Sequence, residues 1–146
     1  MRRSLFLLLF FFIVSLFSVS VVHAQVQTRL RVIQASNIGS NVDPSLRDVY
    51  KKLGSLFSFT SYRLLSDQDL ALHLNQPSTV QVHQEVFIEI TLVGQQKEIA
   101  ELRVKVYRKG SDILNTQVRL SPGRTVFIGG TRHRGGVVIY ALSAQF

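Results

Sequence analysis

Asp43-Pro44-Ser45-Leu46-Arg47-Asp48-Val49-Tyr50-Lys51-Lys52-Leu53-Gly54-Ser55-Leu56-Phe57 is the stretch on which the fold class turns. Leu46, Val49, Tyr50, Leu53, Leu56 and Phe57 recur at spacings of three, four and seven, the period of one helix face. Arg47, Asp48, Lys51 and Lys52 cover the opposite face, with Asp48 and Lys52 one turn apart, where opposite charges attract. Asp43 can accept from the free amides of a first turn. Pro44 suits the first helical position, where a missing N–H is no loss. Gly54 weakens the far end. The stretch predicts one amphipathic helix.

On its N-terminal side, Thr28 to Ala35 alternate at period two, with Leu30 and Val32 on one face and Arg29 and Arg31 on the other. That pattern predicts a half-buried strand. Ser36 to Asn41 is polar and carries turn residues. On its C-terminal side, Phe59 to Leu65 reads as a second strand, and Leu70–Leu74 as a short one. After Pro77 only strand patterns follow. Val80, Val82, Val86, Ile88, Ile90 and Leu92 all fall on even positions. Ile99–Tyr107, Leu114–Leu120, Thr125–Ile128 and Val137–Ser143 succeed them, joined by short Gly-containing turns. The last is apolar on both faces, as a central strand covered on both sides would be. The expected class is α+β: one amphipathic helix packed on a mainly antiparallel sheet, β-α-β followed by a meander.

Upstream, Met1-Arg2-Arg3, an apolar run from Leu5 to Val22 and Val22-His23-Ala24 form a secretory signal, with cleavage expected after Ala24. The alternative is an inner-membrane anchor at residues 5–22, just long enough to span. Ser15, Ser18, Ser20 and His23 interrupt the run and favour cleavage. Removing residues 1–24 from the 146 leaves residues 25–146 as a single domain, and the loss of Arg2 and Arg3 lowers the net charge from +8 to +6. A chain of that size buries roughly two-thirds of its unfolded surface. There is no cysteine and no Asn-x-Ser/Thr acceptor. Small domains of animal secretions lean on disulfides, so the composition points to the bacterial envelope, with the periplasm as compartment.

Absence of cysteine excludes disulfides, thiolate metal sites and cysteine nucleophiles. His73, His83 and His133 lack the spacing of a metal pair, and no serine sits in a Gly-x-Ser-x-Gly elbow. The carboxylates are Asp43, Asp48, Asp67, Asp69, Glu85, Glu89, Glu98, Glu101 and Asp112, read as solvated sheet faces with cross-strand ion pairs. No catalytic residue, metal or cofactor is expected, and the chain is read as not an enzyme. With no tryptophan and no interleaved basic and aromatic motif, nucleic acid is not an expected partner.

The candidate site is Gly129-Gly130-Thr131-Arg132-His133-Arg134-Gly135-Gly136. Paired glycines bracket a basic tip, which predicts a mobile hairpin loop whose glycines supply positive φ. Arg132, His133 and Arg134 would bind an anion or partner, the two arginines forming a fork around a phosphate or carboxylate. Arg108, Lys109 and Arg124 would add to that field if they project from the same end.

Val118-Arg119-Leu120-Ser121-Pro122-Gly123-Arg124-Thr125-Val126-Phe127-Ile128-Gly129-Gly130 resembles a short strand-turn-strand motif of bacterial outer-membrane secretins, in which Thr-Val and an apolar residue lead into Gly-Gly. The rest of the chain is unmatched. The resemblance implies an envelope protein with a similar β-hairpin. The combined expectation is an exported, periplasmic, non-enzymatic binding or assembly protein, secretion-related. Its partner would be an envelope protein, an anionic lipid or an acidic surface. The alternatives are a small periplasmic enzyme or ligand carrier with a pocket between helix and sheet, or the anchored form.

Overall fold

The computed structural model describes residues 25–145. The expected signal segment, residues 1–24, lies outside the described residues. Strands account for 69% of the structure and helix for 8%. Eight strands run in chain order: β1 (Gln25–Ser36), β2 (Ser61–His73), β3 (Pro77–His83), β4 (Val86–Gln96), β5 (Ile99–Arg108), β6 (Ser111–Leu120), β7 (Thr125–His133) and β8 (Gly136–Ala144). They form two four-stranded antiparallel sheets. Sheet I has the order β2-β1-β8-β7, and sheet II the order β3-β4-β5-β6.

The fold is therefore a β-sandwich, and the expected α+β class with a helix as second layer is wrong. Sheet II shows why. Ile88, Ile90, Leu92, Leu102, Val104 and Val106 are buried, while alternate residues such as Glu89, Arg103 and Lys105 point outward. A sheet with one long apolar face needs a partner of equal extent. Leu30, Val32, Leu72, Val138, Tyr140 and Leu142 of sheet I supply it, and the two faces share one core. A two-turn helix could not cover that area. The meander ends at Leu120, where Ser121–Arg124 carries the chain into sheet I.

The stretch 43–57 folds as a 3-10 turn at Pro44–Leu46 and a seven-residue helix, α1 (Tyr50–Leu56). Asp43 caps the turn as its sequence suggests: its Oδ1 accepts from the Ser45 amide at 2.9 Å and from the Ser45 hydroxyl at 2.6 Å. Only half of the expected stripe is buried. Leu46, Val49 and Leu53 pack on Ile33, Ala35, Ile139 and Ala141, on the outer face of sheet I. Tyr50 and Leu56 remain about half exposed, at 47% and 54%. Asp48 precedes α1 and reaches Arg31 on β1, with both carboxylate oxygens 3.0 Å from Nη1. The expected partnership with Lys52 is replaced by one across the layers.

Cover from this segment changes the strands beneath it. β8 is central and buried on both faces, as its composition suggests. β1 is not half-buried: Arg31, Ile33 and Ala35 on its second face are also closed off. A bulge opposite Val32/Ile33 leaves Leu65 of β2 unpaired, so Tyr62 and Leu64 face α1 while Leu70 and Leu72 face sheet II.

Candidate functional site

Gly129 to Gly136 is not a mobile loop. β7 continues through the first glycine pair to His133, and β8 begins at Gly136. Only Arg134 and Gly135 lie between them, at φ of 45° and 78°. Two successive left-handed residues joining paired His133 and Gly136 make the tight turn whose twist matches a hairpin. Gly135 supplies the expected positive φ, while Gly130 and Gly136 are there for close approach. A Cβ on Gly130 would strike the Tyr140 ring and lie 2.8 Å from the Val138 carbonyl oxygen; one on Gly136 would collide with the Ala35 carbonyl. A bulge between Gly129 and Arg132 sets the phase of the tip. Arg132 and Arg134 are exposed. A 460 Å³ cleft, lined by Arg132, His133, Arg134, Val137 and Phe59, opens beside them.

Other turns reach the same end. Val86, which follows the β3–β4 turn, pairs with Arg108, which opens the β5–β6 turn. The imidazoles of His83 and His133 stack at 4.2 Å between centroids and 30° between planes. That contact brings the β3–β4 turn of sheet II against the β7–β8 tip of sheet I. From sheet I, Arg63 donates to Gln34 Oε1 at 2.8 Å, and Gln34 Nε2 donates to the His133 carbonyl at 3.4 Å. Arg63 and Arg134 line a 760 Å³ groove with Ile38, Val42 and Pro44. Arg108 and Lys109 thus join the field as expected. Arg124 does not: it precedes Thr125, which pairs with Ser143 at the far end of β8, and it lies near Asp48 and Lys52.

The carboxylates at this end are engaged. Glu85 pairs with Lys109 at 3.6 Å, and Asp112 with Lys105 at 3.4 Å. Asp43 accepts from Ser45 and from the Leu64 amide at 3.3 Å, and the Ser45 bonds hold its carboxyl below the usual range. Among the described residues, Arg63, Arg108, Arg132 and Arg134 make no ion pair. Elsewhere the expected surface pairs are present, as between Arg119 and Glu101 at 3.2 Å. No group of three or more His, Cys, Asp or Glu that could hold a metal occurs among the described residues.

His83 is half-buried and turns its ring inward. A bulge at Val82 brings His83 opposite buried Val86. Both of its ring nitrogens are closed to solvent and have no hydrogen-bond partner. Burial first, then the proximity of His133, Arg108 and Arg134, pushes its pKa below the ordinary histidine value. The cue in the sequence is the parity change at the turn, visible only once the bulge is known. Leu46, Val49 and Leu53 close the centre of the space between the 43–57 segment and sheet I against Ile33 and Ile139, and a 270 Å³ cleft between that segment and β7 remains at its edge, lined by Asp48, Val49, Lys52, Arg124, Thr125 and Phe127.

No family model, curated protein or solved structure matches this chain. Residues 118–130 form strand, turn and strand, but β6 lies in sheet II and β7 in sheet I, so they do not pair as the hairpin that the resemblance implies. Among the described residues, no helix is long and apolar enough to cross a membrane.

Proposed function

We propose that this chain is an exported, non-enzymatic binding or assembly protein of the bacterial envelope, and that its basic end takes up an acidic segment of another envelope protein. The observation that carries this reading is the convergence of Arg63, Arg108, Arg132 and Arg134 from both sheets, none with a carboxylate partner among the described residues. Like charges gathered at one end repel, and an acidic ligand relieves that repulsion. Arg134 adds to the case. It holds a left-handed conformation that Gly or Asn adopts at less cost, so the turn keeps a charge against its backbone preference. The clefts beside it are concave, which suits acidic side chains better than a flat lipid surface. Engaged carboxylates favour binding over acid–base chemistry. The likeness of residues 118–130 to secretins makes a secretion assembly the first place to seek the partner.

The test uses a fluorescent hexaglutamate peptide, with anionic and uncharged vesicles as separate arms. Arg132→Gln with Arg134→Asn removes two charges and relaxes the turn, so the variant should melt at or slightly above wild type. Wild type should bind the peptide, and binding should weaken several-fold between about 0.05 and 0.3 M salt as exposed charges are screened. The double variant should lose most of that binding. Equal affinity of the two proteins overturns the proposal. Binding to anionic vesicles but not to peptide replaces the protein partner with a membrane surface.

A further inference from the structure

We propose that His83 and His133 form a proton-controlled latch that joins the two sheets at the basic end and sets its readiness for an acidic ligand. The inference rests on the reading of that end as a binding site and adds its regulation. His83 closes β3, an edge strand of sheet II; His133 closes β7, an edge strand of sheet I. Each pairs with a residue beginning the next strand, Val86 and Gly136, and the imidazoles meet across the mouth of the sandwich at 4.2 Å. Among the described residues no backbone ladder joins the sheets here, and this side-chain stack links the two tips above the shared core.

The stack suits uncharged rings. Its surroundings are cationic: Arg108 from the end of β5 and Arg134 from the β7–β8 turn both act on His83. Glu85, in the β3–β4 turn, is the nearby carboxylate and is taken up by Lys109. The Gln84 carbonyl in that turn accepts from Gln81, and neither nitrogen of the His83 ring has a hydrogen-bond partner. A proton on His83 therefore has no acceptor to point at and a second imidazole in front of it. When His83 charges, Arg108 and Arg134 repel it, the stack with His133 loosens and the tips separate. The added charge favours an acidic ligand, and a bound carboxylate in turn favours protonated His83, because coupling between two sites is reciprocal. The depressed pKa of His83 fits this arrangement.

The first experiment needs no ligand. NMR titration of the free protein should give His83 a midpoint below the ordinary value of about 6.5. Amides of residues 83–86 and 132–136 should move with the same midpoint. His133→Gln should raise the His83 midpoint, since a repelling neighbour is gone. His83→Gln should abolish the shared movement of the 132–136 amides. A His83 midpoint at the ordinary value that ignores His133→Gln, with still amides, overturns the latch. The second experiment measures hexaglutamate affinity at about pH 7.5 and 5.8, a range over which histidine charges and the peptide stays ionised. Wild type should gain threefold or more on acidification, and His83→Gln/His133→Gln should gain little. Equal gains in both proteins overturn the regulation. Failure of the peptide to bind at either pH overturns the acidic-ligand reading, while the ligand-free titration still decides the latch.

Discussion

Arg31 places its guanidinium under the 37–60 connection at 2% exposure, and its ion-pair partner, Asp48, is 57% exposed. Such a charge is tolerable only because a carboxylate meets it. The bond to Arg31 holds the Asp48 carboxyl below the ordinary carboxylate range. Asp48→Asn should therefore cost about 2 kcal/mol in urea denaturation, the scale of a charged hydrogen bond discounted for the open side of Asp48. A carboxyl with a depressed folded pKa contributes stability above its unfolded value, near 4, and loses it as pH falls through the folded value. The gap between wild type and Asp48→Asn should then be full at neutral pH and close in acid. A gap that persists unchanged in acid would place the effect elsewhere. Nothing in the alternation of Arg29 and Arg31 distinguishes them, yet one meets Asp67 at the exposed sheet edge and the other lies under a lid. The difference is tertiary: only what crosses above β1 separates them.

At the level of elements, residues 43–57 show how a correct period can mislead. A 3-10 turn followed by a short α-helix presents Leu46, Val49 and Leu53 to one side, as a continuous helix would. The stripe announced a buried face and left the length of the helix undetermined. Two turns are too few to hold in isolation, so α1 depends on its buried residues. Leu53→Asp should accordingly lose several kcal/mol on denaturation, from an unpaired charge placed against Ile33 and Ile139. Gly54→Ala is the contrasting case: nothing lies within 4 Å of the added methyl, and the backbone there is helical. It should stabilise by about 0.5–1 kcal/mol. A neutral Leu53→Asp would detach α1 from the fold. The run Val80–Leu92 misled in the opposite direction. A two-residue turn would shift the inward parity, and the extra residue at Val82 shifts it back. Val80 and Ile88 therefore face each other across a hairpin while both remain even-numbered. Strand content was legible there; the turn was not.

For the whole molecule, the apolar alternation of β4, β5 and β6 was readable residue by residue, but the number of sheets was not, because alternation says that a face is covered and not by what. Arg132 and Arg134 were legible as a basic tip from their flanking glycines; Arg63 and Arg108 joined them only through strand pairing. Export remains our expectation from the first residues. Intact mass of protein recovered from the envelope should correspond to a chain starting at Gln25; a mass that retains Met1 would favour the anchor.

The pairing of β1 with β8 has a consequence in time. Thr28 lies opposite Ala144, and the Gln145 amide donates to the Gln27 carbonyl, so the first and last strands are neighbours in the middle of one sheet. A chain emerging N-terminus first presents β1 long before β8 exists to flank it. Until then Leu30, Val32 and Ile33 have only β2 beside them. Contacts so distant along the chain close late and slowly. Completion is thus tied to arrival of the last strand: sheet I can close only once residues 136–144 have been made.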